Sequence, residues 1–157
     1  ERKNGIPCQD IQCLKLPDAS FDLVTSTEVF EHVPDDRKGF SEVYRVLKPG
    51  GYKVFSVPLS MQERTRERAM HGPGGVTHLL EPEYHSDRIR GRGTVLAYRN
   101  YGSDIMERLR EAGFSPEIRE VSSDRHRIRN QYVVVARKPT DNPVICGKIE
   151  GGPKGVA

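Results

Sequence analysis

Phe21-Asp22-Leu23-Val24-Thr25 and Tyr52-Lys53-Val54-Phe55-Ser56-Val57, with Pro34–Gly51 between them, decide the fold of this chain. Each flanking run is short and largely apolar, the pattern of a strand buried in a parallel sheet. The stretch between them reads as a helix with clear ends. Pro34-Asp35-Asp36 offers an N-cap and a negative first turn. Phe40, Val43, Tyr44 and Leu47 then fall at the i, i+3, i+4 and i+7 spacing of one apolar stripe. Lys48 belongs to the last turn, and Pro49-Gly50-Gly51 ends the helix and turns the chain back. Strand, helix and strand in this order predict a right-handed βαβ crossover, hence an α/β fold.

Downstream, Ser103 is placed to cap a second helix whose buried face is Ile105, Met106, Leu109 and Ala112, and Gly113 stands where a left-handed residue closes it. Two strands follow, Pro116–Val121 and Gln131–Arg137, read as an antiparallel hairpin with an Arg-rich tip over 123–130. Alternation in Glu117-Ile118-Arg119-Glu120-Val121 suits an edge strand, and the solid run Tyr132–Ala136 a more central one. Between Leu59 and Tyr101 the signals weaken. Met61–Met70 reads as a charged surface helix, and a long His-, Glu- and Arg-rich stretch follows Gly72-Pro73-Gly74-Gly75. A segment of this length suggests a lid or substrate-loop insertion over 59–101. Residues 140–157 lose apolar periodicity and read as a flexible tail, leaving 1–139 as the folded part.

Composition narrows the classes. The 157 residues carry 25 Lys+Arg against 22 Asp+Glu, a formal charge of +3, with a mean hydropathy of −0.64. No apolar run approaches the roughly 20 residues that span a bilayer, so no membrane partner is expected. The three cysteines, Cys8, Cys13 and Cys146, are odd in number and without framework spacing, which points to a reducing, cytoplasmic compartment. Net charge is too small to predict nucleic-acid binding, although Arg125, Arg127, Arg129, Arg137 and Lys138 gather with little acidic company. His71, His78 and His85 recur every seven residues beside Glu81 and Glu83, too open a spacing for a metal site. Cys8 and Cys13 read as small packing residues rather than a metal pair, and no metal is expected.

Four stretches carry a resemblance. They are Asp10-Ile11-Gln12 with Leu16-Pro17-Asp18; Ser20–Val24 with Glu28-Val29-Phe30-Glu31-His32-Val33; Glu42–Gly51; and Leu109-Arg110-Glu111-Ala112-Gly113-Phe114. In this order and spacing they resemble the class I, Rossmann-like methyltransferases that use S-adenosylmethionine, in particular the type-11 methyltransferase domain, across most of residues 5–138. The resemblance implies a Rossmann-like methyltransferase sheet, mostly parallel with an antiparallel C-terminal strand, and S-adenosyl-L-methionine as cofactor.

It also implies site residues. Asp10 stands where the family's carboxylate accepts from the adenine amino group, a donor costly to bury unpaired. The backbone N–H of Ile11 would meet a ring nitrogen, and Gln12 completes that turn. Thr27, Glu28 and Val29 would flank the methionine and sulfonium part at the carboxyl edge of the sheet, where open α/β sheets place ligands. His32, one turn on, is the candidate for ordering the acceptor or taking its proton, the alternative being a histidine bonded to backbone. His78, Glu83, Tyr84 and His85 are the polar candidates for holding the acceptor. Glu42 and Arg45, three apart on one helical face, are expected to pair architecturally.

The family's glycine-rich turn after its first strand, and the acid ending its second, find no counterpart here. An N-terminally truncated domain, its C-terminal two-thirds, is therefore expected, and a fragment inactive alone. The function implied is methyl transfer to an O, N or C nucleophile of a small or medium-sized acceptor. Two other readings stay open: a nucleotide-binding Rossmann oxidoreductase, and a non-catalytic RNA- or polyanion-binding module using the Arg-rich tip.

Overall fold

The structure is a computed structural model that describes residues 2–3, 6–60, 62–86, 93–125 and 128–140. Short strands β1 (Arg2–Lys3) and β2 (Ile6–Pro7) pair antiparallel ahead of the main body. Strand β3 (Phe21–Thr27) then leads through a short 3-10 helix (Phe30–His32) into helix α1 (Asp36–Val46), which returns to β4 (Leu47–Ser56). β3 and β4 run parallel, pairing from Phe21↔Leu47 to Thr27↔Ser56 with a register shift between Phe21 and Leu23, so the βαβ crossover is present. Asp35 is the N-cap, its Oδ1 accepting from the Lys38 N–H at 3.0 Å. The helix ends at Val46, two residues earlier than its pattern suggests: Leu47 is already extended, and Lys48 pairs with Asp22 at 2.8 Å. Gly50 turns the chain at a φ of +82°, a conformation that favours glycine.

The described residues of the 59–101 region form short paired strands rather than an open loop. They hold β5 (Arg66–Glu67), β6 (Ala69–Gly72), β7 (Gly75–His78), β8 (Glu83–Ser86), β9 (Thr94–Ala97) and β10 (Arg99–Asn100). These pair antiparallel as β6–β7, β8–β9 and β10–β5. Strands therefore stand where the charge pattern of Met61–Met70 suggested a helix; pairing with distant partners overrides local composition there. Helix α2 (Ile105–Glu111) begins after Asp104, not on a Ser103 cap. The Asp104 carboxylate makes no cap bond and instead accepts from the Thr65 N–H and hydroxyl, at 2.8 and 2.5 Å. Gly113, at a φ of +98°, closes α2 where a Cβ would meet the Tyr44 ring at 3.0 Å.

Strands β11 (Ser115–Ser123) and β12 (Ile128–Arg137) form the final hairpin. It is longer than its apolar pattern indicates, and the tip shrinks to 124–127, of which His126 and Arg127 lie outside the described residues. The four-stranded sheet has the order β11-β12-β4-β3, with β11 at the edge and β12 inside. Among the described residues the sheet is mixed rather than mostly parallel: β3–β4 is parallel, while β12–β4 and β11–β12 are antiparallel.

The core lies on one face of this sheet. Phe30 stacks on Phe40 at 4.3 Å, Phe55 leans against both, and Tyr101, Ile105, Leu109, Val134 and Ala136 close around them. Tyr44 meets Phe114 edge-on at 5.1 Å, fixing α1 against the segment after α2. The opposite face is open: Leu23 and Tyr52, register partners, are 54% and 41% exposed. Cys8 and Cys13 are exposed, not packed as their size suggested, because the segment before β3 lies on the surface. Cys146 and the tail from 141 lie outside the described residues. No helix among the described residues is long and apolar enough to cross a membrane.

Candidate functional site

The carboxyl end of β3 is built from strain and polar groups. Glu28 follows the strand at a φ of +50°, a region that a residue with a Cβ occupies only when its surroundings hold it there. Two bonds to β4 do so: the Glu28 N–H donates to the Ser56 carbonyl at 3.1 Å, and the Ser56 hydroxyl donates to Glu28 Oε1 at 2.8 Å. Thr27 and Glu28 are exposed, and Val29 packs partly against the core.

The Asp10–Gln12 turn docks against the start of α1. Gln12 Oε1 accepts from the Asp35 N–H at 3.0 Å, and Ile11 packs near Gly39 at the start of α1. Asp10 Oδ1 accepts from the Gln12 backbone N–H and its side-chain amide, at 2.9 and 3.0 Å. The backbone bond chiefly, then the side-chain bond, hold the Asp10 carboxyl below the usual range. The six residues expected at a cofactor thus fall in two groups, the Asp10–Gln12 turn against the start of α1 and Thr27–Val29 at the end of β3. Their chemistry suits that ligand in part: an ionised acceptor for an exocyclic amine at Asp10, and an exposed carboxylate for a sulfonium charge at Glu28.

Beyond the end of β3 the 3-10 helix presents Glu31 and His32. His32 Nδ1 donates to the Leu96 carbonyl at 2.9 Å, the backbone-bonded arrangement, and this fixes the acceptor lone pair on Nε2. That Nε2 lies 3.7 Å from Glu31 Oε1. From β8, His85 Nδ1 lies 3.9 Å from the same oxygen, while its Nε2 bonds Glu83 Oε1 at 3.0 Å. Glu83 also accepts from Asn100 and pairs with Arg68 at 3.3 Å; its carboxyl is held low, by the His85 bond above all. The two imidazoles meet edge to face at 4.9 Å. Glu31 itself is 1% exposed, and among the described residues neither carboxylate oxygen has a hydrogen-bond partner. Burial first, with the Glu28 carboxylate adding, pushes it up to about 7.

Of the residues expected at the acceptor, Glu83 and His85 therefore join His32. Tyr84 is 54% exposed, and His78 stands on another hairpin, opposite Ala69. His71 shares that hairpin, so the three evenly spaced histidines do not converge. Sequence reading missed Glu31, although an acid inside Val29-Phe30-Glu31-His32-Val33 is a visible anomaly in an apolar stretch. It also missed Arg99, which donates to the carbonyls of Val33 and Pro34 at 2.5 and 2.7 Å and to Glu67 at 3.0 Å. Arg99 thereby ties the 59–101 region to the loop that carries Glu31 and His32. The expected Glu42–Arg45 pair forms at 2.9 Å, and both residues also grip the 14–18 segment through Leu14, Leu16 and Asp18.

Residues 1–55 match the family described as a methyltransferase domain. A "probable S-adenosylmethionine-dependent methyltransferase" of Mycolicibacterium smegmatis is 34% identical over 104 residues, 66% of this chain and 32% of that protein. A malonyl-[acyl-carrier protein] O-methyltransferase of Hahella chejuensis is 37% identical over 70 residues, 45% of this chain and 25% of that protein. The chain thus spans about a third or less of these relatives' length. Among solved structures, an S-adenosylmethionine-dependent methyltransferase from Mesorhizobium loti is similar with a TM-score of 0.53 at 24% identity, covering 87% of this chain and 72% of that one. One from Methanosarcina mazei gives 0.52 at 18% identity, covering 87% and 68%.

Proposed function

We propose that this chain, whose residues 1–55 match a methyltransferase domain, supplies the C-terminal part of a class I, Rossmann-like domain that moves a methyl group from S-adenosylmethionine to an O, N or C nucleophile of a small or medium-sized acceptor. The observation that supports this reading is that the Asp10–Gln12 turn docks on Asp35 at the start of α1, while the strained Thr27–Val29 segment ends β3, the strand that leads into that helix.

Bound S-adenosylmethionine would supply a methyl already activated on a sulfonium. The protein's work is then positioning, with a base needed only for a protonated nucleophile. Asp10 and the Ile11 N–H hold an adenine edge, and Thr27, Glu28 and Val29 border the sulfonium. Glu83 and His85 on the 59–101 region, which acts as a lid or acceptor loop over the end of β3, contact the acceptor. His32, its proton fixed on Nδ1, is able to receive the acceptor's proton at Nε2. In its full natural polypeptide context the chain binds S-adenosylmethionine by calorimetry, and Asp10→Ala weakens that binding by about tenfold, the loss of one charge-assisted bond. Absence of binding in that context, or an unchanged affinity in the variant, overturns the reading. The 157 residues alone are expected to bind weakly or not at all.

A further inference from the structure

We propose that Glu31, His32 and His85 form a binding site for a divalent transition-metal ion, zinc being the ion their chemistry fits best. Glu31 Oε1, His32 Nε2 and His85 Nδ1 lie within 4.8 Å of one another, and the two distances from Glu31 are 3.7 and 3.9 Å. Ligands of a tetrahedral zinc ion sit roughly 3.3 Å apart, given bonds of about 2.0–2.1 Å. The two distances from Glu31 exceed this by several tenths of an ångström and the third by at most about 1.5 Å, so side-chain adjustments of that order close the set.

Three features separate this cluster from a chance gathering of polar groups. Glu31 is buried with both oxygens lacking hydrogen-bond partners among the described residues, an arrangement that a bound cation relieves and that hydrophobic packing does not. Each histidine is oriented from behind: His32 through its Nδ1 to the Leu96 carbonyl, His85 through its Nε2 to the Glu83 carboxylate. Outer bonds of this kind set the tautomer and aim the other nitrogen in metal centres. Here they aim opposite nitrogens of the two rings at one carboxylate oxygen. Lastly, the ligands come from two elements, the 3-10 helix and β8, so an ion there also fastens the 59–101 region to the sheet edge. Two histidines and one carboxylate leave at least one coordination position for water or a ligand oxygen; with an ion bound, His32 Nε2 is a ligand and takes no proton from an acceptor, so the two roles belong to alternative states of the site.

The test does not depend on the cofactor reading, since it measures metal alone. The chelator-treated 157-residue chain is titrated with Zn²⁺ by calorimetry, and with Co²⁺ while its visible absorption is recorded. One ion per chain is expected, with an absorption spectrum of tetrahedral or five-coordinate nitrogen and oxygen ligation, and a rise in melting temperature with added Zn²⁺. Glu31→Gln and His85→Ala each weaken binding by about tenfold or more, whereas His71→Ala, on the exposed β6–β7 hairpin, leaves it unchanged. Because Glu31 is buried, the melting temperature of metal-free Glu31→Gln is measured alongside, and His85→Ala, at a more open position, carries the test if that variant is unfolded. No binding, or binding that His85→Ala leaves intact, overturns the proposal.

Discussion

Two buried polar clusters flank the 3-10 helix, and they are finished to different degrees. On one side Asp36, 3% exposed, accepts from the Tyr101 hydroxyl at 2.8 Å and from Arg108 at 2.9 Å. Arg108 and Arg99 meet again on Glu67, at 2.7 and 3.0 Å, and Arg99 also holds the carbonyls of Val33 and Pro34. On the other side Glu31, 1% exposed, has two histidine nitrogens nearby at 3.7 and 3.9 Å and, among the described residues, no hydrogen bond to either oxygen. Burial is the same, so solvent does not account for the contrast. A buried carboxyl whose donors are all supplied by the protein fixes architecture; one left without them is relieved by taking up a proton, as its raised pKa indicates, or by binding a cation.

The strongest way to break that comparison is to turn the finished cluster into an unfinished one. Asp36→Ala leaves Arg99 and Arg108 buried with Glu67 as their remaining carboxylate and leaves the Tyr101 hydroxyl only the longer bond to the Phe30 carbonyl, at 3.3 Å. The expected loss is about 3–5 kcal/mol in urea denaturation, the range for removing one partner of a buried ion pair. A loss below about 1 kcal/mol would show that the network is not what holds α1, α2 and the 59–101 region together.

Lys53 offers a second test, of the opposite sign. It is fully buried in β4, its Nζ bonded to the Ser26 hydroxyl at 2.6 Å and lying 4.9 and 5.0 Å from the Phe30 and Phe55 rings. Burial lowers its pKa from 10.5 to about 7. The unfolded chain therefore holds a proton that the folded chain has released between about pH 7 and 10.5, and stability rises with pH across that window. Lys53→Met is expected to stabilise by about 1–4 kcal/mol at pH 7, with the gain shrinking toward pH 10. Denaturation curves at the two pH values check both statements; a destabilised variant would place Lys53 with the finished cluster.

The sequence showed what is local. The stripe Phe40–Val43–Tyr44–Leu47 packs into the core or against it, Gly113 adopts the left-handed turn, and β11 and β12 take the edge and inner places that their alternation suggests. The Asp10–Gln12 and Thr27–Val29 groups are short contiguous stretches, which is why a family resemblance can point to them as candidates at all. What escaped is what long-range pairing creates. Strands β5 to β10 are two to four residues long, too short to display a period. Glu31 and His85 sit on separate elements, and no spacing rule relates them. Arg99 reads as one more charge in an arginine-rich stretch until the fold turns it onto the carbonyls of Val33 and Pro34.

The smallest expected effect sharpens the comparison at the sheet edge itself, where backbone strain takes the place of a missing hydrogen bond. Glu28→Ala and Glu28→Gly both lose the bond to the Ser56 hydroxyl, so that loss cancels between them. They differ in that alanine keeps a Cβ at a φ of +50° and glycine does not. The glycine variant is therefore expected to be more stable than the alanine variant by about 1 kcal/mol, the low end of the cost of such a conformation. Paired urea denaturations read the difference directly. Equal stabilities would mean that the edge relaxes once the carboxylate is gone, and that the Ser56 bond itself holds Glu28 in its strained position; the strain would then be a consequence of the side chain rather than of the strand end.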